Sequence, residues 1–593
     1  NGLNGSLEIG SAIYLHMKLI NKFCLLGVSI VLLTGCQSDL MDLNPYSSIG
    51  SGNMWTTENL ADMGVMGIYN VLRSSNVAGD LHKFDSYGVS ADYRDGNYSL
   101  LMGNATTSDE LFSDYWKIHY EGVSRCNDAI TNLQKAPLSE SKLARLMAES
   151  KFMRAYFYYK LNMVYKGVPL YLEPVELEDM VKGRNSETEV WNQVITDLTD
   201  AINTSDFPDK YTKGDGDYGR VTKGAAYALR GKTYLYMKDW KKAIEDFEEI
   251  VYNKTNQYGY KLYPDYSALF TSAGPVPNDN ETIFAIQNKG TTDNLYGMAL
   301  CTLYGTRGSY GGGRATCMPS VTLADIYEEK DGQPFDWNNH IPGYNENDAV
   351  KKKAFLATLN SSKQKLETIP DTALLGNIYR GRDPRMMQSL IVPYSYYNGY
   401  IVGTGAKRQL YAIAAGTTVA NGFIQNDRGW NVYFYRKFVP IEDMGGAITN
   451  RNHTPINFPV IRFADVLLML AEAYNEDNQL EKAIVELNKV RNRQSTKMPG
   501  LNSGPAWLQV TEKEEMFERI MKERAVELIG EGHRFSDLRR WGLAVQYLNN
   551  RQEKDFTGEV RFTRKFTDRD YLWPIPSEEI QRNPALKPNN PGW

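Results

Sequence analysis

Five positions recur along this chain at one fixed offset. In "AAYALRGKTYLYMKDWKKAIEDFEEIV" they are Tyr227, Gly231, Tyr234, Ala243 and Phe247; in "ADVLLMLAEAYNEDNQLEKAIVELNKV" they are Leu467, Ala471, Tyr474, Ala483 and Leu487, each 240 residues later. Small residues at such positions let two antiparallel helices approach closely, and large ones fill the seam to the next pair. A chain that repeats this arrangement is committed to stacked helical hairpins.

The spacing is that of a tetratricopeptide unit. One unit cannot bury its own apolar face and at least three are needed, so the helices around Trp116–Leu133, Ala148–Tyr165 and Glu512–Leu528 are expected to complete the stack. The fold class is therefore mainly α, a tetratricopeptide-like helical-repeat scaffold. From about Tyr252 to Pro455 the character changes to Gly-, Asn-, Pro- and Tyr-rich, with short strand-like runs such as "ETIFAIQ" and "WNVYFYRKF". Long loops on a rigid scaffold usually carry function, so this stretch reads as an inserted, loop-rich substrate lobe. The expected organisation is 1–35 as upstream extension and export signal, 36–251 as tether, early loop and first repeat helices, 252–455 as the inserted lobe, and 456–593 as the closing helices and tail.

The one strongly apolar run lies near the start. Lys18 and Lys22 precede an apolar stretch from Phe23 to Thr34, which ends in "LLTGC" at Cys36. A membrane-spanning helix needs about twenty apolar residues, so the run is too short to span; its order is that of a secretory signal. The sequence around the cysteine is similar to the lipobox of bacterial lipoproteins, which makes Cys36 the expected lipidation site. An ordinary signal with an incidental cysteine is the alternative. Met17 is the expected start of translation. Cys126, Cys301 and Cys317 then remain; no CxxC pair supports zinc, and spacing alone leaves a Cys301–Cys317 pairing open.

A net charge of −5 offers no basic stripe for nucleic acid, whereas 39 tyrosines and 10 tryptophans suit a surface that binds while staying wet. "YGTRGSYGGGRA" (Tyr304–Ala315) lacks the strand, helix and GK[ST] ending of a phosphate loop; it reads as a contact loop carrying Tyr304, Arg307, Tyr310 and Arg314. In "KERAVELIGEGHRFSDLRRWG" no second histidine accompanies His533, and Glu523, Glu527 and Glu531 read as a helix held by ion pairs worth only tenths of a kcal/mol when exposed. No pair of carboxylates is nominated for glycoside hydrolysis. Trp337, in "DGQPFDWNNHIPGY", is either a stacking platform for a sugar ring or an aromatic anchoring its loop, and Tyr93 and Tyr98 in the early loop face the same choice.

The segments "AESKFMRAYFYYKLNMVYKGVPL", "PVIRFADVLLMLAEAYNE", "ERAVELIGEGHRFSDLRRWG" and, most specifically, "PIPSEEIQRNPALKPNNPGW" resemble the SusD/RagB family of Bacteroidota, in order from lipobox to last residue. That resemblance implies a cell-surface glycan- or nutrient-binding lipoprotein, not an enzyme. Such a protein is lipid-anchored in the outer membrane and delivers oligosaccharide to a SusC-like TonB-dependent transporter. No cofactor or metal is expected. Ser38, Asp39 and Asp42 look like the export signal that sends such lipoproteins outward. The family shares no fixed sugar-contacting motif, so the candidate ligand-binding residues are positional: Tyr93, Tyr98, Tyr304, Tyr310, Arg314 and Trp337. A repeat scaffold that binds only protein and a secreted glycoside hydrolase are the alternatives.

Overall fold

The structure is a computed structural model that describes residues 51–74, 81–89, 91–93, 98–254, 258–271, 280–289, 297–306, 308–310, 312–362, 365–401, 405–414, 433–444, 448 and 454–593. The expected export signal, Cys36, Ser38, Asp39, Asp42 and Arg307 lie outside these residues.

The scaffold begins with α1 (Glu58–Val71), α2 (Glu110–Asn132), α3 (Glu140–Tyr165), α4 (Glu187–Asn203), α5 (Lys223–Met237) and α6 (Trp240–Tyr252). Starts are written locally. Ser139, Thr222 and Asp239 each accept a backbone N–H of the first turn, and Ser186 with Glu189 closes a reciprocal capping box. Consecutive helices from α2 to α6 pack side by side, and α6 packs against α7 (Phe463–Glu476), which is followed by α8 (Leu480–Arg491), α9 (Lys513–Glu527) and α10 (Arg534–Arg540). The stack therefore runs straight across the long segment that separates its two repeats in sequence. The recurring small residues do the work expected of them: a Cβ built at Gly231 would fall 2.6 Å from Cε1 of Phe247, so only glycine allows α5 to lie this close to α6.

Charged pairs tie one repeat to the next. Lys232 of α5 reaches Asp465 of α7 at 3.3 Å, and Arg524 of α9 reaches Asp465 and Asp537 at 2.8 Å each. The C-terminal tail closes the other end. Trp573 is fully buried, its ring 5.3 Å from Phe112 and 5.1 Å from Tyr115, while Asn590 donates to the Tyr165 and Trp573 carbonyls.

The segment between the repeats carries most of the short strands. Its ends are joined where β2 (Thr282–Ile286) pairs antiparallel with β6 (Phe458–Arg462), with Phe458 opposite Ile286 and Arg462 opposite Thr282. Of the two strand-like runs in the sequence, "ETIFAIQ" contains β2, whereas among the described residues of "WNVYFYRKF" the strand is Phe434–Tyr435.

One expectation is corrected here. Glu523, Glu527 and Glu531 do not form surface ion pairs with their helix neighbours. Glu527 meets Arg462 and Arg493 at 2.7 Å and Arg385 at 3.0 Å; Glu523 meets Arg385 at 2.5 Å; Glu531 meets Arg462 and Lys437 at 2.8 Å. Glu281, just before β2, completes the cluster through Arg462 and Arg493. All these side chains are buried. Burial alone would raise the Glu527 carboxyl, but Arg493, Arg462 and Arg385 hold it well below the ordinary carboxylate range. The cluster locks the inserted segment onto α9.

Candidate functional site

Two stretches far apart in sequence are brought together over the scaffold. The early segment supplies the helix Leu81–Tyr87, β1 (Ala91–Tyr93) and Tyr98; the inserted segment supplies β3 (Cys317–Pro319). β1 and β3 pair antiparallel with Tyr93 opposite Cys317 and Ala91 opposite Pro319. Ser320 donates to the Val89 carbonyl at 2.7 Å, and the Ser86 hydroxyl lies 3.7 Å from the Cys317 sulfur. Tyr93 is thereby placed beside the strand that the glycine-rich loop leads into.

That loop is compact. The amides of Gly305, Arg314 and Ala315 donate to the carbonyls of Cys301, Thr302 and Gly305, at 2.8, 2.7 and 2.8 Å. A Cβ on Gly313 would fall 2.1 Å from the Gly305 oxygen, so the glycines serve close backbone approach rather than phosphate binding. A hairpin of β4 (Tyr396–Ile401) and β5 (Gly405–Leu410) covers it. Gln409 donates to the Gly308 carbonyl at 2.8 Å, and the Tyr397 hydroxyl lies 3.2 Å from that of Thr306. Strand alternation then turns the neighbours of Tyr397 and Gln409 outward: Tyr396 is 52% exposed, with the Arg408 guanidinium 4.6 Å from its ring centroid.

The six candidate residues separate into three groups. Arg314 is exposed and Tyr98 half-buried, the latter packed edge-on against Tyr87 at 5.8 Å. Tyr310 is only 8% exposed; for Tyr93 the strand position is described and the side chain is not. Tyr304 and Trp337 require correction, because neither ring presents a face to solvent. Tyr304 is fully buried, stacked 4.2 Å from Tyr435, with its hydroxyl donating to Asp85 at 3.2 Å. Trp337, 4% exposed, donates its indole N–H to Asp325 at 3.0 Å, stacks on Tyr344 at 4.7 Å and meets Phe355 edge-on at 5.5 Å. It anchors its loop, the second of the two roles read from the sequence.

Asp85 is the polar hinge of this region. It accepts from the Gly532 amide at 3.1 Å as well as from Tyr304. Burial pushes its carboxyl up to about 7, against the opposing pull of those hydrogen bonds and of Lys437. His533, next to Gly532, is half-buried, and desolvation brings its imidazole down to about 4. Cys126, Cys301 and Cys317 are buried free thiols. The exposed Tyr396–Arg408 pair was missed by the sequence reading, although alternating residues in "YSYYNGYI" carry the period-two signal of a strand with one outward face.

Comparison with known proteins fits this geometry. Residues 280–593 match the model of the SusD family, and residues 39–235 match one described as starch-binding associating with outer membrane. The chain belongs to the SusD family. Among curated relatives of this SusD-family chain, SusD-like proteins P25 and P2 of Formosa agariphila are 25% and 24% identical to it, covering 94% and 95% of the chain and 97% and 98% of their own lengths. A SusD-like carbohydrate-binding protein from Bacteroides fragilis superposes with a TM-score of 0.70 at 24% identity, covering 90% of this chain and all of its own. Surface glycan-binding protein A from Bacteroides thetaiotaomicron, solved in complex with laminarihexaose, gives 0.61 at 19% identity, covering 90% of this chain and all of its own. These likenesses establish the fold. No helix among the described residues is long and apolar enough to cross a membrane.

Proposed function

We propose that this SusD-family chain is a cell-surface glycan-binding lipoprotein that captures oligosaccharide and passes it to a SusC-like TonB-dependent transporter. The observation that carries the reading is the β1–β3 pairing, which sets the early segment against the glycine-rich loop beneath an aromatic hairpin, in a family that includes glycan-binding members. Tyr98, Arg314 and Tyr396 are the proposed contacts at the surface, with Tyr93 and Tyr310 beside them. Tyr304 and Trp337 support the loops from within.

Binding on such a surface is weak by construction. Each aromatic contact contributes about 0.5–1.5 kcal/mol, which with a few hydrogen bonds places the Kd at roughly micromolar to millimolar. Weak binding suits a protein that must release its cargo. Cys36 would carry the acyl chains that hold the chain to the outer membrane, several chains being needed for stable anchoring.

The test is calorimetric titration of the chain from Gln37 onward with a panel of oligosaccharides, followed by assay of the same mixtures for new reducing ends. Saturable binding with no product supports the reading. Product formation would make the protein a hydrolase, and binding to none of the panel by a folded chain would favour the protein-binding scaffold. Replacing Cys36 by Ala should release the protein from the membrane fraction.

A further inference from the structure

A small cavity opens between α3, α5, the β2–β6 pair and the turn that leads into α10, and none of the proposed glycan contacts lines it. Its volume is about 70 Å³. One water needs roughly 10–15 Å³ and a drug-sized ligand roughly 300–1,000 Å³, so the space suits a few waters or one small ion and not an oligosaccharide. Its polar lining is rich in hydrogen-bond donors: Lys160 of α3, Lys232 of α5, Tyr159, Ser536 and His533.

Two carboxylates, Glu531 and Asp537, share this lining, but each is already engaged by two cations. Glu531 meets Arg462 and Lys437 at 2.8 Å, and Asp537 meets Arg524 at 2.8 Å and Arg540 at 2.9 Å. Lys232 reaches Asp465 at 3.3 Å, and Asp465 is shared with Arg524. This run of pairs ends at Glu472, which takes Arg540. It sets Lys232, Arg524 and Arg540 against Asp465, Asp537 and Glu472, three charges of each sign. The cluster on Glu527 is balanced in the same way. There Lys437 and Arg385, Arg462, Arg491, Arg493 and Arg519 face Glu281, Glu328, Glu523, Glu527, Glu531 and Asp383.

Lys160 stands outside both networks. Among the described residues it has no carboxylate within ion-pair distance, and its Nζ lies 5.4 Å from the centroid of the Phe84 ring, which attracts a cation but leaves its N–H donors unsatisfied. Burial and the like charge of Lys232 bring its ammonium down to about 8. Arg539, on the same helix as Ser536, adds a second uncompensated charge. It donates to the Tyr571 carbonyl at 3.0 Å and to that of Val164 at 3.3 Å, meets no carboxylate, and leaves Nη1 unpaired among the described residues. The buried Tyr159 hydroxyl makes no well-formed hydrogen bond among them either. Surplus positive charge and unused donors around a space of this size are complementary to an oxyanion, whose oxygens accept charge-assisted hydrogen bonds.

We propose that this cavity binds a small oxyanion, a phosphate or carboxylate group, held by the Lys160 and Lys232 ammonium groups with the Tyr159 and Ser536 hydroxyls donating to its oxygens. The proposal does not depend on the glycan-binding reading.

It is tested by following the phosphorus NMR signal of inorganic phosphate and the carbon NMR signal of labelled acetate as each is titrated against the chain from Gln37 onward at constant chloride. The expected result is saturable line broadening of at least one anion; phosphate alone or acetate alone supports the proposal and names the source of the group. Lys160→Gln should lower the apparent affinity at least tenfold and Tyr159→Phe at least threefold, while Lys241→Gln, an exposed lysine on α6, should leave it unchanged. Lys160→Gln removes an uncompensated charge, so without added anion its Tm should equal or exceed that of the natural chain, which separates lost binding from lost folding. Saturable broadening of neither anion, or equal affinity in Lys160→Gln and the natural chain, would overturn the proposal.

Discussion

Arg462 and Glu527 meet at 2.7 Å in a place closed to water, one at the end of the strand that returns from the inserted segment and the other at the end of a scaffold helix. Arg385 and Arg493 converge on the same carboxylate. Removing one member of a buried charge cluster strands the others, at a cost of about 3–5 kcal/mol. Glu527→Ala is therefore expected to lower the urea midpoint by that equivalent, whereas Glu514→Ala, exposed on the same helix, should stay within about 0.5 kcal/mol. Equal effects of the two would contradict the buried cluster.

Gly231 is expected to be intolerant of the smallest side chain. In an exposed helix interior, Gly→Ala is favourable by about 1 kcal/mol. Here the new methyl would sit 2.6 Å from the Phe247 ring, and overpacking of this kind costs about 1–3 kcal/mol. Gly231→Ala should lower the Tm, and Phe247→Leu in the same chain should recover part of the loss.

Asp85 gives a pH signature. Its carboxyl is raised by burial to about 7 from an ordinary value of 3.8. A raised acid is protonated in the folded state while already ionised in the unfolded one, so its contribution to stability is complete below about pH 4, is lost as pH rises towards 7, and changes no further above that. Asp85→Asn keeps an acceptor for the Gly532 amide and carries no charge. The variant should lose less stability than the natural chain between pH 4.5 and 8, read as the difference in urea midpoints. Parallel pH profiles would count against the assignment.

Trp337 separates stability from binding. Its indole is fixed by Asp325 and stacked on Tyr344, so Trp337→Ala should cost about 3–5 kcal/mol, as for other large buried aromatics. Trp337→Phe should fold at reduced stability and retain glycan affinity, measured by calorimetry on the folded fraction.

What the sequence makes legible follows from the range over which each signal acts. The helical stack is written in local periodicity and in small–large pairs such as Gly231 and Phe247, and both survive in the structure. The burial of Glu527 is invisible locally, because its spacing with Glu523 and Glu531 is also that of a solvated helix face. The arginines that bury it come from Arg385, Arg462 and Arg493, on other elements. Trp337 and Tyr304 look alike as aromatics in glycine-rich loops, and only long-range partners such as Tyr435 and Phe355 reveal them as core. Tyr396 shows the converse: its outward face depends on Tyr397 and Gln409 being taken up by the loop beneath.

The surface around the paired early segment, the glycine-rich loop and the hairpin is where we propose the glycan is held. Affinity electrophoresis of the chain from Gln37 onward, through gels containing a panel of polysaccharides, tests it most directly. The expected result is retardation by at least one polymer, reduced at least fivefold in apparent affinity by Tyr396→Ala and by Arg314→Ala, with the Tm of both variants unchanged and retardation kept in Trp337→Phe. Retardation indifferent to both surface variants, or abolished only by Trp337→Phe, would contradict it.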